Sequence, residues 1–244
     1  MLDRLGLPRD ACLMIHSAFK DCARSGLNAD EVINALVDET AAGTLLLPAM
    51  SWRFVKPGGT FSELETPSNV GALAELFRTR HATHRSLHPT HSVAGRGRLS
   101  AQILADHHHC STPCGEGSPF DRLVASDAWI MMLGITMDCC TLIHRAEERI
   151  APQLYLRPEA EDYVCRDRHG RSWPVRFRRH AFLPRDFWQV QDALADAGCL
   201  RATRLGIAMV RAFRARDLCE HSERLLRGRP EAMIARGGQR YRLM

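Results

Sequence analysis

The chain lacks any apolar run of membrane-spanning length, and its first residues lack the apolar core of a signal peptide. These absences predict a protein that neither crosses a membrane nor is exported. The 9 cysteines are an odd number and include no C-x-x-C pair, so they do not indicate a disulfide scaffold. Scattered thiols of this kind suit a reducing compartment, and the sequence therefore predicts a cytoplasmic location.

Aromatic residues are scarce, at 7% of the chain, and they are not interleaved with the arginine runs. This argues against stacking on single-stranded nucleic acid. No internal repeat or low-complexity linker interrupts the 244 residues, so we expect one domain over residues 1–244. The net charge of +5 predicts a surface that attracts anions, and composition alone leaves nucleic acid, phosphorylated cofactors and acidic metabolites open.

Apolar runs alternate with helical periodicity in the first part of the chain. Residues 11–15 and 44–48 predict buried strands, and between them Asn28 opens a capping box for a helix that ends at Glu39. Strand, helix and strand in this order indicate a parallel pair with a crossover, which is typical of α/β proteins. We also predict helices at 71–80, 99–105, 184–197 and 209–226, a strand at 129–133, a hairpin at 163–178 and irregular segments at 51–69 and 106–117.

The strongest chemical signal follows the predicted strand at 129–133. That strand ends at Gly134, and α/β proteins place chemistry just beyond the carboxyl ends of their strands. If Thr141 caps a helix, His144 and Glu147 lie three residues apart on one helical face. A neutral imidazole in that place is a candidate base for an attacking amine. By spacing alone, a histidine that merely satisfies the flank of a helix remains the alternative.

Three histidines and a cysteine at 107–110 raise the question of a metal site. Adjacent histidines point in different directions, and no second pair of ligands follows at the spacing that zinc sites use. We therefore interpret the run as a solvated cluster and predict no required metal.

Several local patterns occur together in one order along nearly the whole chain. They are His16-Ser17-Ala18-Phe19, the segment 43–48, Gly71-Ala72-Leu73, Arg85-Ser86-Leu87-His88-Pro89-Thr90-His91-Ser92, Ser118-Pro119, Leu133-Gly134 and Thr141-Leu142-Ile143-His144-Arg145-Ala146-Glu147. In combination they resemble the aminoglycoside 3-N-acetyltransferase family, which is distinct from the commoner acetyltransferase superfamily. The resemblance implies a layered α/β/α fold with a central mixed, largely parallel sheet.

The resemblance also implies a reaction. Acetyl-CoA would be the co-substrate, and the acceptor amine would attack its thioester directly, without an acyl-enzyme. Such a step needs a base for the proton of the amine and donors for the oxyanion. His144 matches the catalytic histidine of the family, and Glu147 could orient its ring or simply support the helix.

The resemblance also implies which residues bind the co-substrate. The backbone amides of the first turn could face the thioester or the pantetheine arm, and the Arg-Ser-x-His-Pro block would line the cofactor channel. For His88 a hydrogen bond within its loop is the preferred role, because Pro89 holds the loop extended. The expected cofactor-binding residues are His16, Ser17, Ala18, Ser86, His88, Ser92 and Ser118.

Basic residues occupy the two segments where relatives that act on aminoglycosides expose acidic groups. The loop after the second strand carries Arg53, and the segment 176–180 has no carboxylate before Asp186. Like charges would repel a polycation, so we expect a small-molecule amine acceptor that is neutral or anionic, such as an amino sugar or a biosynthetic intermediate. The expected substrate-binding residues are Trp52, Arg53 and His180; an acid at Glu161 or Asp162 remains an alternative.

Two rival functions stay open at this stage. One is a true aminoglycoside 3-N-acetyltransferase that confers antibiotic resistance. The other is a non-catalytic basic module that binds nucleic acid or protein, which the few aromatics and the complete motif around His144 both disfavour. No membrane partner is expected, and a homodimer is left open.

Overall fold

The computed structural model of the chain describes residues 1–235. Its ten strands are β1 (Cys12–Ser17), β2 (Thr44–Pro48), β3 (Thr60–Ser62), β4 (His84–Arg85), β5 (Val93–Gly97), β6 (Trp129–Leu133), β7 (Leu156–Arg166), β8 (Ser172–His180), β9 (Arg201–Leu205) and β10 (Ala208–Arg214). The α-helices of the described residues are α1 (Leu2–Leu5), α2 (Lys20–Arg24), α3 (Ala29–Glu39), α4 (Ala72–Arg80), α5 (Ser100–Leu104), α6 (Pro119–Ala125), α7 (Ile143–Ile150), α8 (Pro152–Tyr155), α9 (Trp188–Asp196) and α10 (Ala215–Gly228). The last part of the expected domain, 236–244, lies outside the described residues.

Seven strands form one central sheet in the order β4-β5-β2-β1-β6-β10-β9. The centre is parallel, because β1 pairs in parallel with β2 on one side and with β6 on the other. The flanking pairs β2–β5, β4–β5, β6–β10 and β10–β9 are antiparallel. The expected mixed α/β sheet is therefore confirmed, although its parallel part is confined to the three central strands and is smaller than the sequence suggested.

Helices cover both faces of this sheet. Along β1, Met14 points into one buried cluster, whereas its neighbours Leu13 and Ile15 point into the other, as the two-residue period of a strand requires. Apolar side chains of α1, α3 and α4 complete the second cluster, and those of α6, α7, α9 and α10 complete the first. This is the layered α/β/α arrangement that the resemblance implied. Within residues 1–235, no helix has both the length and the apolar character needed to cross a bilayer.

A second sheet of three strands, β3-β7-β8, stands beside the central one. It is built on the predicted hairpin, whose strands are longer than expected and pair from Leu156 with His180 to Arg166 with Ser172. One face carries a small apolar cluster that includes Phe61, Tyr163 and Phe177. The far end of β8 delivers His180 toward α7, so this sheet forms one wall of the site described below.

Several predicted elements are confirmed, and three are corrected. The capping box at Asn28 is present, and the helices and strands predicted near 72–80, 44–48 and 129–133 occur as expected. The segment 51–69 is not purely a loop, because it contributes β3. The helix predicted from 184 begins only at Trp188. The helix predicted over 209–226 is wrong in its first part, where β10 runs to Arg214 and α10 follows without a break.

Gly134 holds the carboxyl end of β6 close to the end of β1. Its φ is 63°, in the left-handed region, and a Cβ built on it would lie 2.6 Å from the carbonyl oxygen of Ala18. The amide of Ala18 in turn donates to the carbonyl of Leu133. The two parallel strands thus end in one tight junction, and the chain continues from it toward α7.

Candidate active site

Helix α7 follows this junction after a connecting segment that includes a short 3-10 turn at Met137–Cys139, and it places His144 in its first turn. The residue before the helix is Leu142, and no side chain caps the helix, so the expected capping role of Thr141 is wrong. Main-chain bonds from the amides of Ile143 and His144 to the carbonyls of Cys140 and Thr141 wind the preceding segment directly into the helix. His144 and Glu147 therefore share one face of α7, as their spacing predicts.

His144, Glu147 and Arg185 form a hydrogen-bonded chain. His144 Nδ1 lies 2.7 Å from Glu147 Oε2, and the carboxylate is the acceptor of this bond. Arg185 donates from Nε and Nη2 to the two oxygens of the same carboxylate, at 2.8 and 3.2 Å. The Glu147 side chain is 0% exposed, whereas that of His144 is 20% exposed. Since Nδ1 carries the hydrogen, Nε2 retains the lone pair of the ring.

The surroundings keep His144 neutral and Glu147 charged. Burial lowers the pKa of His144, and the neighbouring His180 ring lowers it further against the opposing effect of Glu147. Burial alone would raise the pKa of Glu147, but His144 and Arg185 outweigh it and hold that pKa below its usual range. The arrangement therefore offers an unprotonated imidazole beside a fixed carboxylate, which is what a general base requires.

His180 stands directly against His144. The two ring centroids are 4.3 Å apart, and the ring of His91 lies nearly perpendicular to that of His180, with 5.0 Å between their centroids. His180 Nε2 is 2.6 Å from Glu148 Oε1, and the carboxylate of Glu148 accepts the backbone amide of Cys114. The predicted substrate-binding residue His180 is thus brought next to the predicted base.

The residues of the Arg-Ser-x-His-Pro block lie inside the protein. The Ser86 hydroxyl bonds to His107 Nδ1, and the Ser92 hydroxyl donates to the carbonyl of Ala49. His88 Nδ1 accepts the amides of Thr90 and His91, so its preferred role within the loop is confirmed.

Four of the residues expected to bind the cofactor are buried in the folded chain. Ser86, His88, Ser92 and Ser118 are each no more than 1% exposed, and their contacts with the co-substrate stay a prediction. Ser118 instead caps α6 by accepting the amide of Asp121. The hydroxyl groups of Ser86 and Ser92 satisfy buried polar groups of neighbouring segments.

The segment at the end of β1 offers fewer free hydrogen-bond donors than expected. The Ala18 amide already donates to the carbonyl of Leu133, and a contact of Ala18 with the co-substrate stays a prediction. His16 is buried, its Nε2 has no partner within the described residues, and burial lowers its pKa to about 4. Ser17 lies at the last position of β1, beside the amino end of α4. Contacts of His16 and Ser17 with the co-substrate stay a prediction.

The remaining predicted residues fall in two places. Arg53 is exposed and lies over the ring of Trp52, with 5.1 Å from the guanidinium carbon to the ring centroid. In the 107–110 run, both ring nitrogens of His107 are occupied, by Ser86 and by the carbonyl of Pro113. His107 and Cys110 are both buried, so the interpretation of the run as a solvated cluster is wrong for these two residues.

Two acidic side chains on β7 are held by arginines. Glu161 accepts from Arg157 at 2.8 Å and from the Tyr163 hydroxyl at 2.6 Å, and Arg179 lies 3.5 Å from it. Asp162 lies 3.6 Å from Arg176. The acids that remained as alternatives in the sequence are therefore paired with cations in the folded chain.

Two site residues were not found from the sequence. Arg185 binds Glu147, the partner of His144, although the two lie 38 residues apart in the sequence. Glu148 binds His180 across 32 residues, so only the folded chain brings each pair together. Glu148 follows Glu147 directly and could have been noticed as a second carboxylate. For Arg185, one arginine among many, the sequence carries no distinguishing signal.

Comparisons with known proteins agree with this architecture. A family model described as aminoglycoside 3-N-acetyltransferase matches residues 14–227. A SPbeta prophage-derived aminoglycoside N(3')-acetyltransferase-like protein, YokD of Bacillus subtilis (strain 168), is 25% identical over 91% of this chain and 88% of its own length. The crystal structure of YokD covers 94% of this chain and 92% of its own, with a TM-score of 0.79 and 23% identity.

Further relatives carry the family name. Aminoglycoside N(3)-acetyltransferase III of Pseudomonas aeruginosa is 29% identical, and the alignment spans 59% of this chain and 59% of that enzyme. A structure described as AAC-IIIb binary with CoASH has a TM-score of 0.79 at 24% identity and covers 93% of this chain and 94% of its own. The expected enzyme class and the expected co-substrate, acetyl-CoA, agree with these findings. The chain belongs to the aminoglycoside 3-N-acetyltransferase family of N-acetyltransferases.

Proposed function

We propose that this protein transfers an acetyl group from acetyl-CoA to the primary amine of a small molecule, with His144 as the general base. One observation carries the proposal. The His144 ring has its Nδ1 committed to a buried carboxylate, while its side chain remains 20% exposed and its lowered pKa keeps it neutral. A base must be unprotonated, oriented and reachable, and His144 combines all three properties.

The reaction follows from this geometry. The amine nitrogen attacks the thioester carbonyl, and Nε2 of His144 accepts the proton that the nitrogen loses. When the tetrahedral intermediate collapses, the C–S bond breaks and the imidazolium hydrogen passes to the leaving thiolate, so the ring returns neutral. Glu147 stabilises the imidazolium between these steps, and Arg185 keeps Glu147 ionised and in place.

The acceptor is proposed to be neutral or anionic, for example a nucleotide-linked amino sugar or an intermediate of antibiotic or surface-polysaccharide assembly. The support is the charge of the wall beside His180. Glu161 is bound by Arg157, Arg179 and Tyr163, so it offers little free negative charge to a polycation. Arg178 and Arg179, which directly precede His180, add positive charge there.

The second candidate is an aminoglycoside acceptor, which the names of the curated relatives favour. A panel of purified amines separates the two: release of the CoA thiol is measured with aminoglycosides, with nucleotide-linked amino sugars and with neutral amino sugars. We expect turnover with the neutral or anionic amines to exceed that with aminoglycosides by at least about tenfold in kcat/KM. Comparable values would overturn the proposed acceptor class while leaving the acetyl transfer intact.

The role of His144 is tested by substitution. His144→Ala should retain the fold and CoA binding, and kcat should fall roughly a hundredfold or more, because general-base catalysis contributes about that factor. His169→Ala, an exposed histidine in the hairpin turn, is the matched control and should leave kcat unchanged. Unchanged turnover in His144→Ala would remove this ring from the reaction.

Two broader features belong to the same proposal. We take residues 1–244 as a single acetyltransferase domain, supported by the one central sheet that runs from β4 to β9. All nine cysteines are free thiols, which supports a reducing cytoplasm as the place of action.

A further inference from the structure

A thiol, an imidazole and a carboxylate meet behind the catalytic pair. Cys114 comes from the segment before α6, Glu148 from α7 and His180 from the end of β8. One ligand atom from each, the sulfur, a carboxylate oxygen and a ring nitrogen, lies within 4.8 Å of the other two. The three residues are far apart in sequence, so no spacing pattern announces the cluster, and the predicted acetyl transfer does not use Cys114 or Glu148.

The chemistry of this donor set selects a class of ion. A thiolate and an imidazole are the ligands of Zn²⁺ and similar borderline-soft cations, whereas Mg²⁺ and Ca²⁺ prefer oxygen alone. Tetrahedral zinc with bonds of about 2.0–2.3 Å sets its ligands about 3.5 Å apart, so the cluster needs only small side-chain shifts to close on an ion. Three protein ligands would leave a fourth position for water.

The electrostatic surroundings also favour a cation. The carboxylate of Glu148 accepts the Cys114 amide at 2.9 and 3.2 Å, which places a negative charge next to this cysteine. Negative potential at a buried sulfur is compensated directly by a divalent ion. Access is from the side of His180, whose side chain is 12% exposed, while that of Glu148 is 3% exposed.

We propose that Cys114, Glu148 and His180 bind Zn²⁺ and that the bound ion inhibits the enzyme. Binding forms the S–Zn bond with loss of the thiol hydrogen to solvent, and no electron is transferred. The imidazole stays neutral, with its hydrogen on the ring nitrogen that does not face the ion. The Glu148–His180 hydrogen bond is replaced by two bonds to the metal. Because the ring of His180 lies against that of His144, zinc binding fixes the His180 ring beside the proposed base.

The binding part of this proposal is independent of the proposed reaction, and only the inhibition depends on His144. Binding is tested with Co²⁺ as a spectroscopic substitute for Zn²⁺ on the full-length protein after chelator treatment. We expect a sulfur-to-cobalt charge-transfer band with tetrahedral ligand-field absorption, abolished by stoichiometric Zn²⁺. Titration with Zn²⁺ in weak buffer should release about one proton per ion.

Three variants assign the ligands. Cys114→Ser should abolish the charge-transfer band and weaken zinc binding at least about tenfold, and Glu148→Gln should weaken it similarly without loss of the band. Cys139→Ser, which removes an exposed cysteine, is the control and should leave both unchanged. A band that persists in Cys114→Ser, or that disappears in Cys139→Ser, would overturn the site.

Inhibition is read separately. With chelator present, Cys114→Ser should acetylate at the wild-type rate, and with Zn²⁺ present it should be resistant while the wild type loses most of its activity. Zinc bound through Cys114 without loss of turnover would refute the inhibitory consequence and keep the metal site. Absence of any thiolate band with Co²⁺ would refute the site itself, whatever the enzyme acetylates.

Discussion

The His144–Glu147 pair is a local feature, and its partners are not. The sequence predicts the pair because two residues three positions apart in a helix share a face, and the structure confirms their contact. His180 could be suspected only as a substrate ligand, and Arg185 could not be identified at all. His180 is the last residue of the hairpin strand β8 and Arg185 follows it, and only the packing of this part of the chain against α7 brings both to the site. Contacts between side chains of different helices and strands depend on tertiary packing, and the spacing of residues in the sequence does not predict them.

The carboxylate of Glu147 has a measurable effect on the base beside it. Its charge and its hydrogen bond both raise the pKa of His144, against burial and His180, which lower it. In the wild type, kcat should fall as the pH drops through the lowered pKa of His144, with a midpoint below the ordinary histidine value of about 6.5.

Glu147→Gln should move this acid limb to still lower pH, because the group that favoured the protonated ring is gone. At the same time kcat at neutral pH should fall roughly a hundredfold or more, since an amide no longer fixes the tautomer or stabilises the imidazolium. The measurement is the pH profile of kcat with saturating acetyl-CoA. A lower kcat with an unshifted limb would assign Glu147 a purely structural role.

Among the strands and helices, those with local boundary signals were predicted best. The helix α3 is announced by its capping box, in which the Asn28 side chain accepts the Asp30 amide and Glu31 returns to the Asn28 amide. The strand β10 was mistaken for the start of the last helix, because it passes into α10 at Arg214 without a glycine or proline. The short strands β3 and β4 show no strand pattern in the sequence, and they form by pairing with β7 and β5.

The junction between β1 and β6 depends on Gly134. Gly134→Ala would add a Cβ at a φ of 63° and 2.6 Å from the Ala18 carbonyl oxygen, so strain and a backbone clash act together. We expect a loss of at least about 2 kcal/mol in the free energy of unfolding. The measurement is denaturant unfolding of both proteins, with acetyl transfer assayed in parallel.

Gly170→Ala is the matched control for this change. Gly170 also has a left-handed φ, of 82°, but nothing lies within 4 Å of an added Cβ. Gly170→Ala should therefore lower the free energy of unfolding only by the cost of the left-handed backbone conformation, about 1–2 kcal/mol or less. Equal losses in the two variants would show that the contact with Ala18 does not hold the junction.

Across the whole protein, the free positive charge depends on which arginines are paired with carboxylates as well as on how many arginines there are. The net charge of +5 suggested a surface for anions, but many arginines are bound to carboxylates of the fold. At the wall beside His180 this pairing has a specific consequence. Glu161 belongs to the sheet that forms this wall, and its contacts with Arg157 and Arg179 offset its charge. Under the proposed function, this pairing leaves the wall with little free negative charge for a cationic acceptor.

Arg179→Ala should shift this choice toward cationic amines. The substitution removes one positive charge next to His180 and releases one partner of Glu161, while Arg157 still holds the other oxygen. We expect kcat/KM for an aminoglycoside to rise about tenfold relative to that for a neutral amino sugar, which corresponds to about 1.4 kcal/mol. Arg224→Ala removes an equal charge from an exposed pair on α10 and should leave the ratio unchanged. The same ratio in the wild type and in Arg179→Ala would show that the arginines of this wall do not select the acceptor.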